Sequence, residues 1–320
     1  MLLVILAHSC AAVLVSHSKN WQVANSFVIV TEVAVPLFFM ISGAMLLNSP
    51  KTASLKYLFK HRMTRILVPF IVWSIISAFV NSAIFDKMHI NAVDSILKMY
   101  HQPVLIAYWF IYPLISLYLL SPLLKSMVEH VDDGMLTYLL ILFLVFIIAL
   151  PVAAKSLPNG LGVYFKGYPQ GELIASESLA YFVLGYRLTR GKHRHINTWL
   201  NMLLIVLLMG IKIWISFLVV DKSLRYLNIV SALILPLVTI LIYLALRSLE
   251  PHYPRWFVSL IEYVAPLTYG VYLLHGIVIL TLEKYMGASQ YGWIFFLTTF
   301  ISVAIIMILH SIPGIRRLFT

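Results

Sequence analysis

Apolar residues run along this chain in long continuous blocks, separated by short polar stretches that hold most of the charges. A hydrocarbon core about 30 Å thick needs about 20 apolar residues of helix to cross it. In lipid, only helices and closed barrels satisfy their own backbones. The two-residue alternation of a barrel strand is missing from the blocks. They predict membrane helices over about 1–15, 27–47, 66–85, 104–124, 135–153, 173–189, 199–220, 227–247, 257–281 and 291–312. The first block begins at Met1 already in apolar sequence, is too short to span and has no flanking charge, so either the true start lies upstream or the chain is a truncated form. With no basic residues before it and nine further spans after it, it does not read as a cleavable signal peptide. The expectation is an all-α polytopic membrane protein with about ten transmembrane helices, the first truncated, forming a single domain over 1–320.

Composition agrees. Apolar types make up 61% of the residues and charged types 11%, and the mean hydropathy is +0.93. No hydrophilic block is long enough for a separate soluble domain. The single cysteine, Cys10, excludes an internal disulfide and leaves the redox compartment open. A formal charge of +11 raises the question of nucleic acid. The basic residues gather at span ends, however, which is the anchoring pattern of membrane helices, so no nucleic-acid partner is expected.

Their distribution sets an orientation. Alternate loops holding Lys51, Lys56, Lys60, Arg62, Arg65, Lys125, Arg187, Arg190, Lys192, Arg194, Arg247, Arg255, Arg316 and Arg317 outweigh the opposite set. That set holds Lys19, Lys87, Lys98, Lys155, Lys166, Lys222, Arg225 and Lys284. The richer side is predicted to be cytoplasmic, with both termini on it. No internal repeat of the kind common in transporters is visible. Two longer outer loops, about 86–103 and 154–172, are either plain connections or, in the second case, a Gly-, Pro- and aromatic-rich surface able to dock a sugar.

Ionisable groups at membrane depth are the first candidates for chemistry. His8 lies in the first span, where a neutral imidazole is either a general base for a hydroxyl or a side chain hydrogen-bonded to a neighbouring helix. In the second span, Glu32 is a costly charge expected to pair with a histidine or to be protonated. Pro36 should bend that helix, and Ser42-Gly43 should allow close helix approach. Lys60, Arg62 and Arg65 precede the third span; Arg62 and Arg65, three apart, share a helical face and suit phosphates through bidentate guanidinium geometry. Anchoring to lipid phosphates explains the same run. The fourth span carries Tyr108-Trp109-Phe110-Ile111-Tyr112-Pro113, read either as an interfacial aromatic belt or as part of a site, with His101 just outside. Glu177 enters the sixth span. Lys212 in the seventh is free either to snorkel or to pair with an acid. In the ninth, Tyr272 and His275 share a face.

Several stretches together resemble the acyltransferase-3 family of integral-membrane O-acyltransferases. They are His8 in the first span, VPLFFMISG (Val35–Gly43), RMTRILVPF (Arg62–Phe70), YWFIYPLISLYLLSPLL (Tyr108–Leu124), YFVLGYRL (Tyr181–Leu188) and LTYGVYLLH (Leu267–His275). The resemblance covers essentially the whole chain and is closest in kind to enzymes that O-acetylate surface polysaccharides, enterobacterial common antigen among them. It implies ten spans in a bacterial inner membrane. It also implies an acyl-CoA donor, acetyl-CoA on family habit, entering from the cytoplasm, and a glycan or lipid-linked sugar acceptor reached from the other side. The family signature places an arginine eleven residues before the first-span histidine, about 16 Å and three turns away on the same face. Here that position precedes Met1, and upstream sequence is expected to encode the arginine.

On this reading His8 is catalytic, with Glu32 orienting it as a carboxylate does in a triad. Lys60, Arg62, Arg65 and Ser42 hold acyl-CoA. Trp109, Tyr272 and His275 are acceptor-side candidates. No metal and no bound cofactor are expected; acyl-CoA is a substrate. His8 either deprotonates the sugar hydroxyl for direct attack or carries the acyl group itself. The alternatives are an exporter or transporter of a glycan or small anion, with buried Glu32, Glu177, Glu262 and Lys212 as its path, and an inactive relative.

Overall fold

The computed structural model describes residues 1–16, 20–84, 91–152, 176–190, 197–219, 224 and 227–320. Among them there is no strand. The longer helices are α1 (Leu2–Ser16), α2 (Trp21–Thr31), α3 (Ala34–Asn48), α4 (Thr64–Ile84), α5 (Ile111–His130) and α6 (Asp133–Phe143). After these come α7 (Glu177–Arg190), α8 (Thr198–Leu218), α9 (Leu227–Leu249), α10 (Arg255–Val264), α11 (Thr268–Met286) and α12 (Tyr291–Ser311). The loop 154–172, and the start of the loop 86–103, lie outside the described residues. What is described of the latter includes a short helix, Ala92–Lys98, capped by the Asn91 side chain.

Among the described residues, eight helical stretches are long and apolar enough to cross a membrane, so the chain is an all-α, multi-pass membrane protein. The remaining two expected spans, 1–15 and 173–189, correspond to the 15-residue α1 and the 14-residue α7, both shorter than a full crossing. Polar caps start several helices. Asp132 Oδ1 accepts from the Met135 amide (2.7 Å) at α6, and Asn197 accepts from Trp199 and Leu200 (3.1 and 3.3 Å) at α8. Each satisfies donors that the first helical turn leaves unpaired.

Proline shapes two of the tracts. The apolar stretch Trp21–Asn48 is interrupted at Glu32–Val33. Pro36 lacks the N–H that would bond the Glu32 carbonyl four residues back, and its ring crowds that carbonyl. The bend foreseen from Pro36 therefore falls one turn before it, and the helix restarts at Ala34 with Pro36 in its first turn. Pro266 acts alike: α10 ends, a 3-10 turn covers Ala265–Leu267, and α11 begins at Thr268. The expected ninth span is thus two helices. α10 has no buried residue, whereas α11 buries a continuous run from Gly270 to Ile279.

The helices form two compact units. The first combines α1, α2, α4, the start of α5, and α10 to α12; the second combines α3, the rest of α5, and α6 to α9. In the second, α3 and α7 pack backbone to backbone. A Cβ at Gly43 would overlap the Phe182 backbone, and one at Gly185 would overlap that of Met40. The close approach expected at Ser42-Gly43 therefore occurs, with Gly185 as its counterpart. Gly43→Ala should lower stability by about 1–3 kcal/mol or more, because overpacking here meets rigid backbone. Gly210→Ala in α8, where a Cβ would meet nothing within 4 Å, should hold or raise it. Thermal unfolding in detergent micelles compares the two.

Basic residues of the second unit also close helix ends. Buried Lys125 donates from Nζ to the Leu47 carbonyl (3.0 Å) at the end of α3 and pairs with Glu129 (2.6 Å). Arg247 donates to the Leu188 and Thr189 carbonyls (2.5 and 3.3 Å) at the end of α7. Asp133 faces Arg187 and Arg190 (3.3 and 3.6 Å). Cations at helix C-termini neutralise unpaired carbonyls and complement the dipole.

Candidate active site

In the first unit, the first two turns of α11 are clamped by tyrosine hydroxyls that donate to backbone carbonyls. Tyr269 donates to Ile66 of α4 (2.9 Å). Tyr272 donates to Ala107 in the 3-10 turn Ile106–Tyr108. Tyr108 donates back to Leu273 (2.6 Å), and its oxygen also meets the Ser77 hydroxyl of α4 (2.7 Å). Gly276 lets the turn come close: a Cβ there would lie 3.1 Å from the Leu105 side chain and 3.4 Å from that of Ala107. Phe110 closes edge-on over Tyr272 (4.8 Å between rings, 87°). Each of these four hydroxyls, of Ser77, Tyr108, Tyr269 and Tyr272, has a partner, as an apolar setting favours. Together they hold the rotation of α11 about its axis.

That rotation places His275 in the interior, with none of its surface exposed. Its Nδ1 bonds the Tyr272 carbonyl one turn back. A carbonyl only accepts, so Nδ1 carries hydrogen, and in the neutral ring Nε2 keeps a lone pair. Nε2 is enclosed and has no hydrogen-bond partner among the described residues. His8, half-buried on α1, lies beside it, the two imidazoles 5.4 Å apart between centroids and inclined by 46°. Two histidines 267 positions apart in the chain thus meet between apolar helices. Tyr272, expected to share a face with His275, does so, the rings 5.2 Å apart.

The basic entry to α4 is wound differently from the α-helix expected. Leu58–Met63 forms a π turn that leads into α4 at Thr64. A π turn sets residue i+5 above residue i. Here it brings the Arg62 guanidinium over the Tyr57 ring (5.5 Å), while His61 stacks on the same ring (4.7 Å, 14°). The cation–π contact adds about 0.5–1 kcal/mol at an exposed site. Arg62 is half-buried, whereas Lys60 and Arg65 are exposed. The face shared through simple i, i+3 spacing is accordingly modified: one arginine is held by tyrosine and the other extends freely from the first α turn. Such π turns recur at functional sites. From Tyr269, level with Ile66, to His275 is six residues of α11, about 9 Å of rise. The basic turn and the histidine pair therefore stand at successive levels of one helix packing.

Other expected residues are placed elsewhere. Glu32 does not take a histidine partner: its Oε2 pairs with Lys212 Nζ of α8 (2.8 Å), within the second unit. The same ammonium donates to the Ser231 hydroxyl (3.2 Å). This settles Lys212 as the partner of an acid, 8% exposed against 37% for Glu32. Ser42 is buried on α3, also in the second unit. Glu177 and Glu262 are exposed, so the path of buried acids invoked for a transporter reduces to the Glu32–Lys212 pair. Trp109 is 48% exposed next to buried Tyr108. His101 is exposed.

Sequence reading passed over Ser77, Tyr57 and Gly276, and took Tyr108 within an aromatic belt. Only Tyr108 left a signal, its place among five consecutive aromatic and apolar residues before Pro113.

No curated protein and no solved structure matches the chain. The acyltransferase-3 family model, described as an acyltransferase domain, matches residues 1–311. Spanning nearly the whole sequence, and including both histidines and the basic π turn, that match shows that the chain belongs to the acyltransferase-3 family and is a membrane acyltransferase.

Proposed function

We propose that this acyltransferase moves an acetyl or other short acyl group from cytoplasmic acyl-CoA to a hydroxyl of a cell-surface or lipid-linked glycan, in the manner of enzymes that O-acetylate enterobacterial common antigen. The observation that carries the reading is the half-buried His8 imidazole, set beside an enclosed histidine and above a basic turn in the same unit. Lys60, Arg62 and Arg65 receive the phosphates of the donor from the cytoplasmic side. The thioester then reaches His8. The imidazole takes the proton of the acceptor hydroxyl as that oxygen attacks the acyl carbon. Collapse of the tetrahedral intermediate breaks the carbon–sulfur bond, and the thiolate recovers the proton as CoA thiol. Transfer through an acyl-histidine delivers the same products. Exposed Trp109 offers an indole face to the acceptor sugar.

Membranes supplied with labelled acetyl-CoA should transfer label to glycan, and surface glycans from cells lacking the gene should lose a mass corresponding to the acyl group. Glycan export without any need for acyl-CoA would favour the transporter reading instead, which rests on the ion pair Glu32–Lys212 at membrane depth. Replacing Arg62 and Arg65 together by alanine should raise the KM for acyl-CoA about tenfold to a hundredfold, since hydrogen bonds to charged groups contribute about 1.5–3 kcal/mol. The acceptor KM should change little. Steady-state kinetics with each substrate varied in turn distinguishes the two.

A further inference from the structure

We infer that His275 is a positioning residue for His8, setting its tautomer and orientation, rather than a contact for the acceptor. The inference rests on the proposed role of His8 as base. Three observations converge on it. His275 is wholly enclosed, so no face remains for a sugar. Its Nδ1 is committed to the Tyr272 carbonyl, which leaves Nε2 as a buried acceptor. That atom has no partner among the described residues, and the His8 ring lies beside the His275 ring, 5.4 Å away between centroids, while the nearby Tyr272 hydroxyl is already committed to Ala107.

A buried acceptor without a partner is costly, and a small rotation of the half-buried His8 ring brings an N–H towards it. Once His8 donates one N–H to His275 Nε2, its other nitrogen carries the lone pair and is the only one free to take the acceptor's proton. The imidazolium so formed keeps its hydrogen bond to Nε2 and is stabilised by it. When the departing thiolate recovers the proton, both rings return to their starting tautomers. The tyrosine clamps explain why the second ring can serve: Tyr269, Tyr272 and Tyr108 hold α11 against α4 and the 3-10 turn. The position of Nε2 is thereby set before substrate arrives. An orienting group that itself touches no substrate is the role a triad carboxylate plays for its histidine.

Two near-isosteric variants separate positioning from packing. The amide of His275→Asn reproduces the donor at Nδ1 and its bond to Tyr272 but reaches no further. The longer amide of His275→Gln carries an oxygen out to the place of Nε2. With the full chain in nanodiscs, acetyl-CoA as donor and lipid-linked saccharide extracted from the producing cells as acceptor, kcat should fall about 10²-fold or more in the asparagine variant. It should stay within about tenfold of the parent in the glutamine variant. The KM for acetyl-CoA should be unchanged in both, and their melting temperatures should agree. Equal loss in the two variants, or an asparagine variant more active than the glutamine one, overturns the inference. So does a loss that follows melting temperature. His8→Ala run alongside tests the underlying reading by itself: if that variant keeps its activity the base assignment fails, whereas an inactive His8→Ala with a fully active His275→Asn removes only the positioning role.

Discussion

His8→Ala should abolish acyl transfer to glycan while leaving the protein folded in the membrane. A positioned general base contributes about 10²–10⁴-fold to rate. If the imidazole also carries the acyl group, its loss removes the route altogether. Stability should hardly change, because the His8 side chain is half-buried and its removal opens space at the edge of the packing rather than in it. The measurement is O-acetyl content of surface glycan in a deletion strain complemented with parent or variant, together with the melting temperature of the purified protein. Acetylation at the parental level in the variant would remove His8 from the chemistry and, with it, the proposed mechanism.

The second large effect is on stability. Lys212→Met should destabilise the second unit by about 3–5 kcal/mol, the usual consequence of breaking a buried ion pair from one side. The loss should lie near the lower end, because Glu32 retains 37% exposure of its side chain. Glu32→Gln leaves the better-enclosed ammonium, 8% exposed, without a counter-charge, its partners reduced to the neutral oxygens of the glutamine amide and Ser231, and should be the more damaging single change. The double variant Glu32→Gln/Lys212→Met should recover much of the loss, since removing both charges also removes the desolvation that the pair must offset. Thermal unfolding of the four proteins in one detergent reads the cycle directly. Acyl transfer by the double variant then decides the catalytic role first expected of Glu32: parental rates make the carboxylate purely structural, and a folded but inactive double variant restores it to the site.

Much of this was legible in the chain. Span positions were readable because lipid imposes a long, continuous apolar run on any crossing helix, a constraint that acts locally. Gly43 announced close packing through its lack of a side chain, although its counterpart Gly185 had no mark distinguishing it from other glycines. Pro36 announced a break through its missing N–H. The interruption at Glu32–Val33 follows from chemistry within four residues. The partner of Glu32 was not legible, because Lys212 is 180 positions away and its pairing depends on how α8 packs. Nor was the π turn at Leu58–Met63, since one extra residue per turn leaves no clear signature in hydropathy.

The sequence by itself therefore determined the class of protein, its membrane helices, the residue types able to do acyl chemistry and the family to which they belong. Only the tertiary structure decided which of those residues meet. Whether His275 faces His8 depends on the rotation of α11, and that is set by hydroxyl-to-carbonyl bonds from Tyr108, Tyr269 and Tyr272 to distant backbone. Hydropathy is a property of each segment and can be read along the chain. Helix rotation is a property of contacts between segments, and exists only once they have packed.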